Sequence, residues 1–270
     1  MNFIKKLDAA QKKNNSLLCV GLDSDPERLP RVCRRKSQPL LAFNRDLIDA
    51  TADLVCAYKP QIAYYAACGA EAELAATIAY IKDGYPDIPV ILDAKRGDIG
   101  STAEKYALEA FARYQADAVT VNPYLGGDSL QPFLAYREKG VVILCRTSNP
   151  GGVELQGLLV EGQPLYLKIA ALAASDWNEN HNILLVVGAT WPDELARVRK
   201  IVGDMPLLVP GVGAQGGDLQ AVMEAGLDSR RAGLVINSSR GIIYAGKGDD
   251  FAVKARQAAL DLREQINLYR

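Results

Sequence analysis

Residues 93–98, with the sequence Asp-Ala-Lys-Arg-Gly-Asp, place a lysine ammonium between two carboxylates. The preceding apolar residues predict a strand over 89–95, in which alternate side chains point to opposite faces. Ile91, Asp93 and Lys95 therefore share one face. An ammonium group held by carboxylates can donate a proton or stabilise a developing carbanion. The alternative is a structural ion pair, although buried pairs rarely add net stability.

A glycine-rich segment, residues 209–218 with the sequence Val-Pro-Gly-Val-Gly-Ala-Gln-Gly-Gly-Asp, predicts a turn that opens a helix. Backbone amides exposed in such a turn can bind a phosphate group. The next predicted strand ends at Ser239 and Arg240, and an arginine there also favours phosphate. A dinucleotide site of the G-x-G-x-x-G type is an alternative, but it requires an acidic residue after that strand. Turn glycines beside a surface arginine are the other alternative.

Polar residues also stand at the ends of other predicted strands. Asp23 follows the first, Lys59 ends the second, Asn122 follows the fourth, and Thr147 and Ser148 follow the fifth. Each alone says little, because polar residues are common where strands emerge. Asp23 and Lys59 carry more weight, since they would lie on strands beside Asp93 and Lys95.

The elements that must position these residues are eight short apolar runs separated by helical patterns. Continuous apolar runs are typical of strands buried on both faces of a parallel sheet. Eight strand-helix units predict a single (β/α)8 barrel over residues 1–270, with an N-terminal helix and a long connection at 24–41. Residues 24–39 are interpreted as a solvated loop near the barrel mouth. A doubly wound open sheet remains an alternative, because one sequence does not show closure. The eight runs are 17–22, 54–59, 89–95, 118–122, 140–146, 183–188, 207–212 and 233–237.

Composition excludes several functional classes. The net charge of -1 argues against general binding to nucleic acid or to anionic membranes. Five cysteines without a C-x-x-C pair favour a reducing cytoplasm, and no apolar run approaches the length of a membrane span. A single histidine, His181, leaves zinc or iron sites of the usual histidine type without ligands. We expect a cytoplasmic protein.

The motif at 93–99, together with residues 210–217 and Arg240, resembles the orotidine 5′-phosphate decarboxylase family. The resemblance runs from about residue 20 to Arg240, and the long connection is similar to the longer bacterial, type 2 subgroup. It implies decarboxylation of orotidine 5′-phosphate to uridine 5′-phosphate, without metal or organic cofactor. Lys95 would protonate C6 of the pyrimidine, with Asp93 beside the substrate carboxylate and Asp98 helping to hold Lys95.

The resemblance also implies binding roles and an assembly. Ser239 departs from the shorter members of the family, which usually carry glycine there, but a backbone amide donates from either residue. A homodimer would share its active sites, with Asp98 and Thr102 reaching into the neighbouring subunit. The implied ribose ligands are Asp23 and Lys59; Ser148 would bind the pyrimidine edge; and the phosphate ligands would be Pro210, Gln215, Gly217, Ser239 and Arg240.

The residues argue against three other functions. Related magnesium-dependent enzymes need an acidic ligand on the second strand, where this chain has Lys59. A Schiff-base lysine must be neutral, whereas two flanking carboxylates favour the charged form of Lys95. A phosphate-ligand sensor would not need Lys95 beside Asp93.

Overall fold

Eight parallel strands form one sheet in this computed structural model, which describes residues 1–212 and 217–270. Each predicted run overlaps one of these strands. The sheet strands are β1 (Leu18–Leu22), β2 (Ala57–Pro60), β3 (Ile91–Arg96), β4 (Ala118–Val121), β5 (Gly140–Arg146), β8 (Ile183–Val187), β9 (Leu207–Pro210) and β10 (Leu234–Ser238). The intervening pair, β6 (Leu159–Val160) and β7 (Gln163–Pro164), forms a separate antiparallel hairpin.

The sheet closes on itself. Its strand order is β2-β1-β10-β9-β8-β5-β4-β3. Paired strands are therefore consecutive sheet strands along the chain, and the last strand, β10, pairs with the first, β1. The two ends, β2 and β3, meet through parallel bridges between Tyr58 and Val90 and between Gln61 and Asp93. The (β/α)8 barrel is therefore confirmed and the open-sheet alternative is wrong, because β2 and β3 would lie at opposite edges of an open sheet.

Helices cover the outside of the barrel. None of those in the described part of the chain is long and apolar enough to cross a membrane. Pro192 begins α10 (Pro192–Val202), and the side chain of Asp218 caps α11 (Leu219–Gly226). The helices are α1 (Phe3–Lys13), α2 (Arg31–Arg34), α3 (Pro39–Thr51), α4 (Ile62–Ala66), α5 (Glu71–Gly84), α6 (Gly100–Leu108), α7 (Gly127–Leu134), α8 (Val153–Gln156), α9 (Leu165–Ala174), α10 (Pro192–Val202), α11 (Leu219–Gly226), α12 (Arg240–Ile243) and α13 (Phe251–Asn267).

Alternation along the strands creates two apolar cores. Outward side chains such as Val90 and Leu92 pack under the helices, and inward ones such as Ile91 and Val142 fill the lower barrel. Helix α1 closes the amino-terminal end of the barrel with Phe3, which packs so closely that a Cβ on Gly140 would lie 2.3 Å from its ring. Because the bottom is filled, the open space lies at the carboxyl end of the strands.

The connection after β1 is more structured than a solvated loop. It contains a 3-10 turn at Pro26–Arg28 and the short helix α2, and α3 already begins at Pro39. The solvated-loop interpretation is wrong for part of the segment, because Leu29 and Cys33 are buried in the outer core. Its arginines remain on the surface.

Candidate active site

A cavity of about 560 Å³ opens at the carboxyl end of the barrel strands. Its walls are the inward side chains one layer above the apolar barrel core, so strand alternation decides which residues reach it. One half is apolar and consists of Leu144, Val186 and Leu208 from β5, β8 and β9. The other half is polar and comes from β1, β2, β3, β4 and β10: Asp23, Lys59, Asp93, Lys95, Thr120 and Asn237. Such a cavity can contact the face of a flat ring on one side and charged substituents on the other.

The polar half is built around the carboxylate of Asp93. Its Oδ1 accepts a hydrogen bond from Lys95 Nζ at 2.6 Å, and its Oδ2 accepts one from Lys59 Nζ at 2.8 Å. Lys59 Nζ also lies 4.0 Å from Asp23 Oδ1. The Lys59 side chain is 5% exposed and that of Lys95 is 46% exposed. Of the two ammonium groups that line the cavity, Lys95 therefore has the greater access to its open space.

Mutual attraction holds these charges in place despite burial. Burial opposes the ionised form of Asp93, but the charges and hydrogen bonds of Lys59 and Lys95 outweigh it and lower the pKa of the carboxyl well below its ordinary value. Burial also opposes the charged form of Lys59, yet the carboxylates of Asp93 and Asp23 outweigh it and raise the pKa of the ammonium. Asp93 and Lys59 are therefore both charged at neutral pH.

Lys95 reaches the cavity through an irregular strand end. Leu92 pairs with Val119 and Arg96 pairs with Val121, so residues 93–95 of β3 lie opposite Thr120 alone. Lys95 has a φ of +46°, in the left-handed region that residues other than glycine rarely adopt. Alternation correctly predicts that Asp93 and Lys95 share one face, which here is the inward one, but it does not predict this bulge.

The predicted phosphate ligands divide into three groups. Pro210, Ser239 and Arg240 line the cavity. Gln215 lies outside the described residues. Gly217 is not among the described cavity-lining residues, and its amide donates to the carbonyl of Gly211 at 3.3 Å. A Cβ on Gly217 would lie 2.6 Å from that of Ala189, so this position requires glycine for close packing.

Ser239, the departure from the shorter family members, is accommodated by a glycine on the neighbouring strand. Its hydroxyl donates to the carbonyl of Gly21 at 3.1 Å, and a Cβ on Gly21 would lie 2.8 Å from the Ser239 Cβ. Ser239 precedes α12, which begins with Arg240. The serine therefore fits without displacing Arg240 from the cavity edge.

Ser148 lines the cavity beside the apolar half. Its carbonyl accepts a hydrogen bond from Thr190 Oγ1 at 3.2 Å, and the Thr147 carbonyl accepts one from Trp191 Nε1 at 3.1 Å. Gly188 packs directly beneath this turn, since a Cβ there would lie 2.6 Å from the Ser148 Cα. These contacts position a serine hydroxyl where it could reach the edge of a bound ring.

Asp98 and Thr102 are not among the described residues that line the cavity of this chain. Asp98 Oδ1 accepts a hydrogen bond from the amide of Ile99 at 2.8 Å, and Thr102 lies exposed on α6. A single chain therefore brings together Asp23, Lys59, Asp93 and Lys95 but not the other predicted catalytic carboxylate.

Sequence reasoning missed Thr120, Asn237 and Gln61, which also line the cavity. Asn237 Oδ1 is buried and has no hydrogen-bond partner among the described residues, as expected of an atom that serves a ligand. Strand alternation could have found Thr120 and Asn237, because both are polar residues on the inward face near a strand end.

Fold and cavity together define a (β/α)8 barrel with a lysine–carboxylate array and an arginine at the carboxyl end of its strands. The profile of the Orotidine 5′-phosphate decarboxylase / HUMPS family matches residues 16–255, and the chain belongs to this family. The orotidine 5′-phosphate decarboxylases of Cellvibrio japonicus and Dechloromonas aromatica are 62% and 61% identical to it, and each alignment covers all of both proteins. The solved structure of Leishmania donovani OMP decarboxylase is 42% identical, with a TM-score of 0.87 over 100% of this chain and 99% of that one.

Proposed function

We propose that this chain converts orotidine 5′-phosphate to uridine 5′-phosphate and carbon dioxide, with Lys95 as the proton donor. The observation that carries the proposal is the Asp93 carboxylate, which holds the Lys95 ammonium at 2.6 Å within a cavity that has a polar and an apolar half. Membership of the family and relatives about three-fifths identical over their full length support the same reaction.

In the proposed step the bond between C6 and the carboxylate carbon breaks. Carbon dioxide leaves, and the electron pair stays on C6 as an sp² carbanion with little delocalisation into the ring. A fixed ammonium group is the most direct stabiliser of that charge, because it is already oriented before the charge develops. Lys95 then transfers a proton to C6 and becomes a neutral amine, which recovers a proton from solvent.

Asp93 has two roles in the proposed reaction. It orients Lys95, and it lies beside the substrate carboxylate, where two negative charges oppose each other until carbon dioxide departs. Lys59 offsets part of that repulsion, since its ammonium bonds the other oxygen of Asp93. We assign the ribose hydroxyls to Asp23 and Lys59, whose ammonium can bridge Asp93 and a hydroxyl group.

The remaining substrate groups are assigned to the cavity edge. Ser148 would bind the pyrimidine edge, and the 5′-phosphate would be bound by Arg240, Pro210, Gln215, Gly217 and Ser239. Arg240 suits a dianion because its guanidinium presents several donors in one plane. Binding energy from this remote phosphate can be used to close the site around the reacting carbon.

We further propose a homodimer in which Asp98 and Thr102 complete the neighbouring subunit's site. Two features support it: both residues lie beside the strand that carries Lys95 without lining this chain's cavity, and Ile99 and Tyr124 on adjacent loops are 60% and 77% exposed. The cytoplasmic location stays a prediction from the sequence.

The deciding experiment mixes purified protein with orotidine 5′-phosphate in EDTA and follows ultraviolet loss of the orotate chromophore. We expect turnover in the wild type, none in Lys95→Ala, and binding of uridine 5′-phosphate largely retained in that variant. No turnover by the wild type would overturn the proposal, and turnover that EDTA abolishes would favour a magnesium enzyme. A covalent adduct on Lys95 after borohydride treatment with a keto substrate would instead support Schiff-base chemistry.

A further inference from the structure

We infer that Thr120 is a positioning residue that sets the geometry of the Lys95 ammonium group. The inference rests on the proposed function, because it concerns the proton donor of that reaction. Thr120 lies on β4 at an inward position and is 1% exposed, so its hydroxyl has no access to bulk water. Its partners are therefore those that the protein provides.

The Thr120 hydroxyl uses its full hydrogen-bonding capacity in contacts with residues 93–95 of β3. It accepts from the backbone amides of Ala94 and Lys95, each at 2.9 Å, and donates to Asp93 Oδ1 at 2.9 Å. A hydroxyl group has one proton and two lone pairs, and all three are used here. The oxygen it donates to is the same one that accepts from Lys95 Nζ. One side chain thus contacts both the backbone of Lys95 and its carboxylate partner.

These bonds support a conformation that the chain does not adopt readily. The left-handed φ of Lys95 is unfavourable for a residue with a Cβ, and the bulge removes the regular β4 partners of residues 93–95. Thr120 supplies an acceptor to two amides that the bulge would otherwise leave unpaired. The bent backbone also turns the Lys95 side chain back onto Asp93. The hydroxyl therefore acts where the backbone of the proton donor departs from a regular strand.

A purely structural threonine would behave differently. Thr51 provides the comparison: it is fully buried on α3, and its hydroxyl donates to the Leu47 carbonyl and contacts Tyr58 Oη at 2.8 Å. It does not line the cavity. Thr51→Val thus reports what loss of a buried threonine hydroxyl costs in stability alone.

The test compares Thr120→Val, Thr120→Ser and Thr51→Val by steady-state kinetics, thermal unfolding and binding of uridine 5′-phosphate. For Thr120→Val we expect kcat to fall by about 10- to 100-fold, the effect of one or two buried hydrogen bonds, while KM and product affinity stay within about threefold. Thr120→Ser keeps the hydroxyl and should recover most of kcat. Thr51→Val should lose stability without loss of kcat.

The outcomes separate this inference from the proposed function. If the wild type turns over the substrate and Thr120→Val has an unchanged kcat, the inference is overturned and the proposed function stands. Equal losses of kcat in Thr120→Ser and Thr120→Val would have the same meaning. A parallel fall in product affinity would also overturn it, because that pattern indicates general distortion of the site. No turnover by the wild type would overturn both proposals. If Thr120→Val does not fold, Thr120→Cys has similar volume and weaker hydrogen bonds, and a wild-type kcat there would be equally contradictory.

Discussion

Lys59 and Asp93 form a buried ion pair across strands β2 and β3, with Lys59 Nζ 2.8 Å from Asp93 Oδ2 and both side chains less than a tenth exposed. The pair lies beside the junction where the two end strands of the sheet meet. The Lys59–Asp93 ion pair therefore lies where the barrel closes and is also part of the charge array that holds Lys95.

Loss of the Lys59 ammonium should lower the free energy of unfolding. Lys59→Met removes a partner of a buried carboxylate, and we expect a loss of about 3 kcal/mol in the free energy of unfolding, the lower end of the range for such pairs because Lys95 remains. Urea unfolding measures it. Lys13→Met is the control, since Lys13 pairs with Asp87 at 2.8 Å but both side chains are more than half exposed. That variant should change by less than about 1 kcal/mol, and equal losses in the two variants would contradict the argument.

The lowered pKa of Asp93 predicts a pH dependence of stability. Because the folded pKa lies below the unfolded value, the stabilisation by the ionised carboxylate is complete above the unfolded pKa and is lost as the pH falls through the folded one. The free energy of unfolding of the wild type minus that of Asp93→Asn should therefore be constant from about pH 5 to pH 7. Below about pH 4 this difference should decrease, because the wild type loses stability there. Urea unfolding at each pH measures the difference. A difference that stays constant under acid conditions would argue against a lowered pKa.

Gly188 should be essential for the position of Ser148. A Cβ at residue 188 would lie 2.6 Å from the Ser148 Cα and 2.8 Å from its backbone nitrogen, and backbone atoms cannot move aside cheaply. We expect Gly188→Ala to raise KM by about tenfold or more, since the turn that faces the ring edge must shift. Gly84→Ala is the matched control, because among the described residues only its chain neighbours and the backbone of its own helix approach a Cβ there within 4 Å. An unchanged KM in Gly188→Ala, measured on folded protein, would show that Ser148 does not contact the substrate.

The shared-site dimer predicts complementation between two inactive variants. Lys95→Ala and Asp98→Ala should each lose turnover, while a mixed dimer would contain one intact site with Lys95 from one subunit and Asp98 from the other. After unfolding and refolding together, random pairing should restore about a quarter of wild-type activity. Each variant refolded alone is the control. No recovery in mixtures shown to contain mixed dimers would mean that Asp98 serves its own subunit or none.

The sequence by itself determined the face on which each candidate residue lies. Side-chain alternation depends only on neighbouring residues, so it placed Asp93 and Lys95 on one face and Val90 and Leu92 on the other. The apolar runs likewise indicated eight buried parallel strands, and the motif at 93–98 carried the resemblance that the family match confirms.

Only the tertiary structure decided which of these residues meet. The Asp93 carboxylate binds Lys59, Thr120 lies opposite the bulge, and the sheet closes between β2 and β3. Each of these contacts joins segments far apart in the chain, and it depends on strand order and on pairing register. A local sequence pattern determines neither the strand order nor the pairing register, because alternation fixes only the face of a side chain. It does not determine which residue of another strand that side chain meets.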